Sequence, residues 1–386
     1  MNPLFLEISL IVVSCAVLAW LASLARQPIV IGYLLCGILA GPSVLGLISR
    51  VELIEPASHI GVTLLLFLAG LVLHPNRLVK LFRETLLVTL GAAAVSFILT
   101  LAFLLAWGYR GGESAFAAAA LMFSSTILVV KLLPTTTLHQ RHMGSVCIAI
   151  LIAQDLIAVL LILVIAAEPR ASMLAAVGLT LLKTLALAGF AAAFEQFALR
   201  RMMRAADRYP EVLEMLCIAW CLGISAAALS AGLPSEIGAF IGGVAMARTR
   251  IADFLSEKLK PLRDFFLLFF FFILGADLNM LMLAKSWLPG LILAALILIS
   301  RPVLYAFLFR VTGEASSFSR EVGLRLGQAS EFSMLAAVIA GEKGSMGEPV
   351  SQLVQFAAIV TFIASSYAVV ARVPTPIGTK TELKRD

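Results

Sequence analysis

Charge is scarce in this 386-residue chain. Asp, Glu, Lys and Arg make up 13% of it, against about a quarter in soluble domains. Hydrophobic residues make up 61%, and the mean hydropathy is +1.02. That balance excludes a soluble enzyme, a nucleic-acid binder and a disordered scaffold. The five cysteines (Cys15, Cys36, Cys147, Cys217, Cys221) all fall in apolar runs without disulfide or zinc spacing, so they read as small hydrophobes. The first apolar stretch has neither a basic n-region nor a clear cleavage site, and so does not read as a cleavable signal. The four histidines (His59, His74, His139, His142) fall at loop positions or at the ends of apolar runs. They form no HExxH and no Ser–His pair at one depth, which argues against an intramembrane hydrolase. No glycine-rich Walker loop is present, which argues against ATP-driven chemistry. Nothing calls for a cofactor.

Long apolar runs are what the chain has in abundance. A lipid-exposed helix needs about 20 apolar residues. Runs between polar breaks predict an all-α membrane protein of about thirteen spans, at roughly 4–24, 28–48, 58–73, 85–108, 114–133, 144–167, 172–199, 211–230, 234–249, 264–280, 286–309, 319–340 and 349–372. Basic residues test the segmentation, because cytoplasmic loops collect Lys and Arg. The side holding the N-terminus has five (Arg50, Arg110, Arg170, Lys285, Lys343) and the other side has 21. The expected topology is therefore N-terminus outside and C-terminus cytoplasmic. Lys183, Arg301 and Arg325 fall within spans. Arg325, nearer the cytoplasmic end, is expected to snorkel; Lys183 is assigned no role.

The chain also contains a weak internal repeat. Ile31-Gly32-Tyr33-Leu34-Leu35-Cys36-Gly37 in span 2 matches Ile237-Gly238-Ala239-Phe240-Ile241-Gly242-Gly243 in span 9, 206 residues later. Phe67-Leu68-Ala69-Gly70 in span 3 matches Phe272-Ile273-Leu274-Gly275 in span 10, 205 residues later. A shift of seven spans is odd, so the two copies would cross the membrane in opposite directions. Inverted repeats with broken helices at the midplane are the architecture of secondary transporters.

Polar groups at membrane depth are costly and mark function. Asp155 lies near the centre of span 6, preceded by Gln154. Span 5 carries Ser124-Ser125-Thr126 near its centre. Ser and Thr hydroxyls in a membrane helix can simply bond back to the preceding turn. However, span 12, seven spans on, carries Gln328-Ala329-Ser330-Glu331-Phe332 near its own centre. Two repeat-related spans thus lose their hydrophobicity at one depth. Arg301, followed by Pro302, lies about four residues past the middle of span 11, roughly 5 Å from the central plane. It can snorkel or pair with a buried carboxylate, Asp155 or Glu331; Glu331 is the expected partner, since Asp155 must stay free to bind.

At these residues the chain resembles the second family of monovalent cation:proton antiporters, and most closely the membrane domain of Kef-type potassium/proton antiporters. The resemblance rests on Gly32-Tyr33-Leu34 through Gly41-Pro42, Leu65 through Leu71, Ser124-Ser125-Thr126, Gln154-Asp155, Phe269 through Gly275, and Gln328 through Phe332, in that order and spacing. It implies a sodium/proton antiporter-like fold with two crossing discontinuous helices, here spans 5 and 12, and a panel of helices that makes a homodimer. It matches Asp155 to the family's ion-binding aspartate. It places Gln154 where electrogenic relatives carry a second acid and Arg301 where the family has a basic residue. The expected organisation is an antiporter domain over 1–372, with repeat one about 1–167, a linker helix about 172–199 and repeat two about 211–372. A cytoplasmic tail over 373–386 follows, and no nucleotide-binding domain. The mixed, partly basic segment Asp253 through Pro261 replaces the acidic gating loop of Kef-type proteins, and Val72 stands where many relatives show a glutamate.

The expected function is exchange of K⁺, or alternatively Na⁺, for H⁺ in a bacterial inner membrane, electroneutral at one to one and by alternating access. Lipid would be its surroundings and no nucleic acid its partner. Asp155, Gln154, Ser125, Thr126 and Ser124 would bind ion and proton, with Asp155, Thr126 and Ser125 as cation ligands. Arg301, Glu331, Gln328 and Ser330 would support the charge and the broken helix. A cation channel or uniporter using the same polar cluster is the alternative.

Overall fold

A computed structural model describes residues 3–48, 54–71, 75–133, 142–166, 173–247, 249 and 251–375. Val72, the threonines after Pro134, Arg50, Arg141, Arg170, Arg248, Arg250 and the tail from 376 lie outside the described residues, as do parts of the proposed loops.

The described elements are helices. In chain order they are α1 (Pro3–Leu24), α2 (Ile29–Ala40), α3 (Glu55–Leu71), α4 (Pro75–Ala106), α5 (Gly111–Ala120), α6 (Thr126–Leu132), α7 (His142–Ala166), α8 (Met173–Phe194), a π-helical turn (Glu195–Leu199), α9 (Arg200–Ala205), α10 (Pro210–Ser230), α11 (Ser235–Met246), α12 (Ala252–Ala276), α13 (Met280–Val311), α14 (Ser316–Arg325), α15 (Glu331–Glu342) and α16 (Glu348–Arg372). Among the described residues, six helices are long and apolar enough to cross a membrane by length and composition. The fifth and twelfth intervals are each filled by two short helices, α5 with α6 and α14 with α15, separated by non-helical backbone. Non-helical backbone is tolerated at membrane depth only where protein or a cavity covers it. Ser124, Ser125, Gln328 and Ser330 at these breaks are all buried.

The chain divides into two compact units. One comprises Met1–Val51, Lys80–Leu161 and Phe271–Asp386; the other comprises Glu52–Val79 and Ile162–Phe270. In the first, α1 packs on α2, α13 packs on α14 and α16, and α15 packs on α16. A core of Val88, Val129, Cys147, Ile150, Tyr305, Phe309, Val322 and Leu326 joins α4, α6, α7, α13 and α14. In the second, α3 and α10 each pack on α11, and α8 also lies against α11.

The repeated glycines make matched helix crossings inside the two units. In the first, a Cβ on Gly37 would strike the Phe272 carbonyl, and one on Gly275 would strike the Leu34 carbonyl. In the second, a Cβ on Gly243 would strike the Phe67 carbonyl, and one on Gly70 the Phe240 carbonyl. Gly37 corresponds to Gly243 and Gly70 to Gly275, so α2 crosses the end of α12 as α11 crosses α3. Small residues at such contacts allow backbones to approach, which is how membrane helices gain packing without a hydrophobic drive.

Candidate functional site

All the residues that follow belong to the first unit. The backbone between α5 and α6 exposes helix ends that need partners. Ser125 caps α6, its hydroxyl oxygen accepting from the Leu128 amide at 3.1 Å. The Ser124 amide donates to Gln154 Oε1 at 2.9 Å, and the Ser124 hydroxyl donates to the Leu326 carbonyl at 2.8 Å, which ties this break to the other one. At the second break, Ser330 caps α15 by accepting from the Phe332 amide, while its own amide donates to Ser333 Oγ. The Ala329 amide donates to Thr361 Oγ1, and Ser365 Oγ donates to Gln328 Oε1. Each break is thus fastened to the helix that follows it, by Gln154 on α7 and by Thr361 and Ser365 on α16.

Arg301 holds both breaks at once. It is 1% exposed. Its Nη1 donates to the Phe123 carbonyl at 2.8 Å and to the Gln328 carbonyl at 2.6 Å. Phe123 and Gln328 are 205 residues apart, the repeat offset found for Gly70 and Gly275, so one guanidinium nitrogen serves equivalent carbonyls beyond α5 and α14. Helix C-terminal ends carry partial negative charge, so two of them together can compensate a buried cation. The expected pairing of Arg301 with a carboxylate is therefore corrected: neither Asp155 nor Glu331 bonds to it, and its Nε and Nη2 have no partner among the described residues.

Glu331 instead meets the opposite kind of helix end. It is 2% exposed, and its Oε1 accepts from the Ile127 amide in the first turn of α6 at 3.3 Å. The Ser125 side chain and the Thr126 amide also interact with this carboxyl group. Its Oε2 has no protein partner. Positive charge at the C-terminal ends of α5 and α14 and an acid at the N-terminal end of α6 follow the sense of the helix dipoles.

Asp155 is 3% exposed on α7, and its carboxylate faces the Thr126 hydroxyl, with Oγ1 at 2.9 Å from Oδ2 and 3.2 Å from Oδ1. Glu331 is close enough to act on it electrostatically. Sequence reasoning missed Tyr305. Its hydroxyl accepts from Gln154 Nε2 at 2.6 Å, so both ends of the Gln154 amide are engaged in fastening. Tyr305 sits one turn after Arg301, so the i, i+4 spacing was the available signal. Thr361 and Ser365, also one turn apart in an apolar run, gave the same kind of signal. Arg325 does not snorkel: it is 2% exposed and donates to Glu321 Oε1 and to the Leu132 and Pro374 carbonyls.

The structure therefore brings Ser124, Ser125, Thr126, Gln154, Asp155, Arg301, Gln328, Ser330 and Glu331 together at the two helix breaks. The donors it offers a cation are oxygens, which suit hard ions. Among the described residues no group of three or more His, Cys, Asp or Glu is placed to hold a metal ion.

Two buried acids and a string of hydroxyls at paired helix breaks define a membrane ion transporter. Residues 10–371 match the transmembrane sodium/hydrogen exchanger family, and the chain belongs to it. It is a multi-pass integral membrane protein and not an enzyme. It is 28% identical over 317 residues to a protein named iron transporter MagA from Paramagnetospirillum magneticum, covering 81% of this chain and 72% of that one. It is also 28% identical to K(+) efflux antiporter 5 of Arabidopsis thaliana, covering 85% of this chain and 59% of that one. A third relative, the glutathione-regulated potassium-efflux system protein KefC of Klebsiella pneumoniae, is 28% identical, covering 79% of this chain and 50% of that one. The chain thus spans about half the length of these potassium-efflux relatives. The sodium proton antiporter MjNhaP1 of Methanocaldococcus jannaschii has the same fold, with a TM-score of 0.68 at 16% identity over 95% of this chain and 97% of that one.

Proposed function

We propose that this chain exchanges a monovalent cation for H⁺ by alternating access, with Asp155 as the shared site. The observation that carries the reading is the Asp155 carboxylate, buried and facing the Thr126 hydroxyl at a helix break in a chain of the exchanger family. A carboxylate removed from water needs a counter-charge, and a proton and a cation compete to supply it. Thr126, Ser125 and carbonyls freed at the breaks replace part of the cation's water shell. If the core crosses only when loaded, this competition becomes exchange. K⁺ is the favoured cargo because several relatives are named as potassium-efflux proteins; Na⁺ is the alternative, in line with the fold relative's title.

Exchange is electroneutral in this account. Gln154 has no ionisable group, and Arg301 is bonded to two carbonyls rather than to the site acid. Glu331 accepts the Ile127 amide, on the N-terminal side of α6. Only Asp155 then alternates between its proton-loaded and cation-loaded forms. The chain works as a homodimer in a bacterial inner membrane, with its N-terminus outside and its C-terminus inside.

The test is flux into proteoliposomes with an internal pH dye and external Li⁺, Na⁺, K⁺ or Rb⁺, with Fe²⁺ added because of the MagA relative. Proton flux with K⁺ or Na⁺ supports the proposal. Flux with Fe²⁺ alone, or cation flux with no proton movement, overturns it.

A further inference from the structure

Two buried polar atoms in the first unit take no part in the helix crossing. Ser114 on α5 is 0% exposed and Gln355 on α16 is 2% exposed. Ser114 Oγ and Gln355 Oε1 have no partner among the described residues, and α5 packs against α16 and α15. A buried polar group left without a hydrogen bond costs about 1–3 kcal/mol. Native proteins meet that need with bound water held by about three polar groups.

The surrounding side chains extend these two atoms into a line. Gln355 Nε2 donates to Ser351 Oγ one turn further from the crossing, and Ser351 Oγ donates to the Ala337 carbonyl on α15. Beyond Ser351, Gly347 lies just before α16, and the Glu113 carboxylate stands 3.4 Å from where a Cβ on Gly347 would be. Toward the crossing, Gln355 lies six residues, or about 9 Å, from Thr361, which holds the Ala329 amide. Ser365 follows one turn later and reaches Gln328. The line ends at the crossing, where Arg301 Nε and Nη2 and Glu331 Oε2 are buried and unpartnered. Five of the seven buried side-chain atoms without a partner among the described residues belong to Ser114, Gln355, Arg301 and Glu331.

We propose that the seam between α5 and α16 is a water-bearing route that carries protons from the Glu113 end to the helix crossing, on a path separate from the cation's. Water and the hydroxyl of Ser114 each accept one proton and pass one on, so the relay leaves every group as it began; Ser351, whose own proton is held by the Ala337 carbonyl, only positions Gln355. Gln355 Oε1 only accepts, and so orients the water beside it. This rests on the exchange reading above: without proton exchange the seam would still hold water but would have nothing to deliver.

Two measurements test it on the full chain. Radiolytic labelling in H₂¹⁸O, followed by dilution into ordinary water, should leave ¹⁸O on buried side chains along α16 between Ser351 and Thr361. Absence of that label in the wild-type protein overturns the proposal, whatever the variants do. In Ser114→Ala with Gln355→Leu, the maximal exchange rate should fall about tenfold, about 1.4 kcal/mol in the barrier. The solvent deuterium isotope effect should rise while cation KM stays within twofold. An unchanged rate and isotope effect in the folded variant also overturns it. Asp155→Asn should abolish exchange while retaining the ¹⁸O label. Exchange persisting in Asp155→Asn would instead overturn Asp155 as the shared site and leave the route standing.

Discussion

Replacing Arg301 by Ala removes a side chain that bonds carbonyls at both helix breaks. The native Nη1 makes two hydrogen bonds, to the Phe123 and Gln328 carbonyls, in a site only 1% exposed. Hydrogen bonds to a charged group contribute about 1.5–3 kcal/mol each, so the loss is about 3–6 kcal/mol. The upper half applies because water cannot easily reach the freed carbonyls. At roughly 2 °C per kcal/mol for a chain of this size, the apparent melting temperature in detergent should fall by about 9–12 °C. Arg301→Lys keeps the charge but loses the planar fork, so it should fall by about half as much. Fluorescence-detected size-exclusion after heating reads all three proteins. Because Arg301 does not pair with Glu331, adding Glu331→Gln to Arg301→Ala should not restore stability. A melting temperature unchanged in Arg301→Ala, or one recovered in the double variant, would refute the carbonyl clamp; recovery would reinstate the ion pair.

Thr126→Ala should raise cation KM several-fold with a smaller loss of maximal rate, since Thr126 bonds the Asp155 carboxylate; Thr126→Ser should restore KM in the same flux assay. Ser125→Ala removes the α6 cap and should cost about 1 kcal/mol of stability, seen as a drop in melting temperature. Gly243→Val should abolish folded protein on size-exclusion, because its Cβ meets the Phe67 carbonyl, whereas Gly223→Ala, with open space around it, should express normally. Clamping liposome potential should leave the exchange reversal point unmoved. A carrier of one net charge would gain about 2.3 kcal/mol per 100 mV, so a voltage-dependent reversal would reject one-to-one exchange.

The helices were legible because hydropathy runs mark segments whose backbone must be satisfied in lipid, and the repeat because glycine strings mark close helix crossings. Gly37 with Gly275 and Gly70 with Gly243 show why the repeat could be read: close crossing tolerates no side chain there. The polar strings at Ser124 and Gln328 marked the breaks for the same reason. The direction of the Arg301 bonds was not legible. Charge counting favours pairing it with Glu331, whereas helix-end carbonyls carry no formal charge and leave no mark in a sequence. Nor was the fastening by Gln154 legible, whose amide bonds Ser124 and Tyr305.

The most direct test of the central claim is cation-driven proton flux through Asp155→Asn in proteoliposomes, beside wild-type protein at equal density and with the variant's folding checked by its melting temperature. An amide cannot exchange a proton for a cation near neutral pH. The account predicts K⁺- or Na⁺-dependent proton flux in the wild type and none above protein-free liposomes in the variant. Flux retained in a folded Asp155→Asn would contradict it and move the shared site to another acid, with Glu331 first in line.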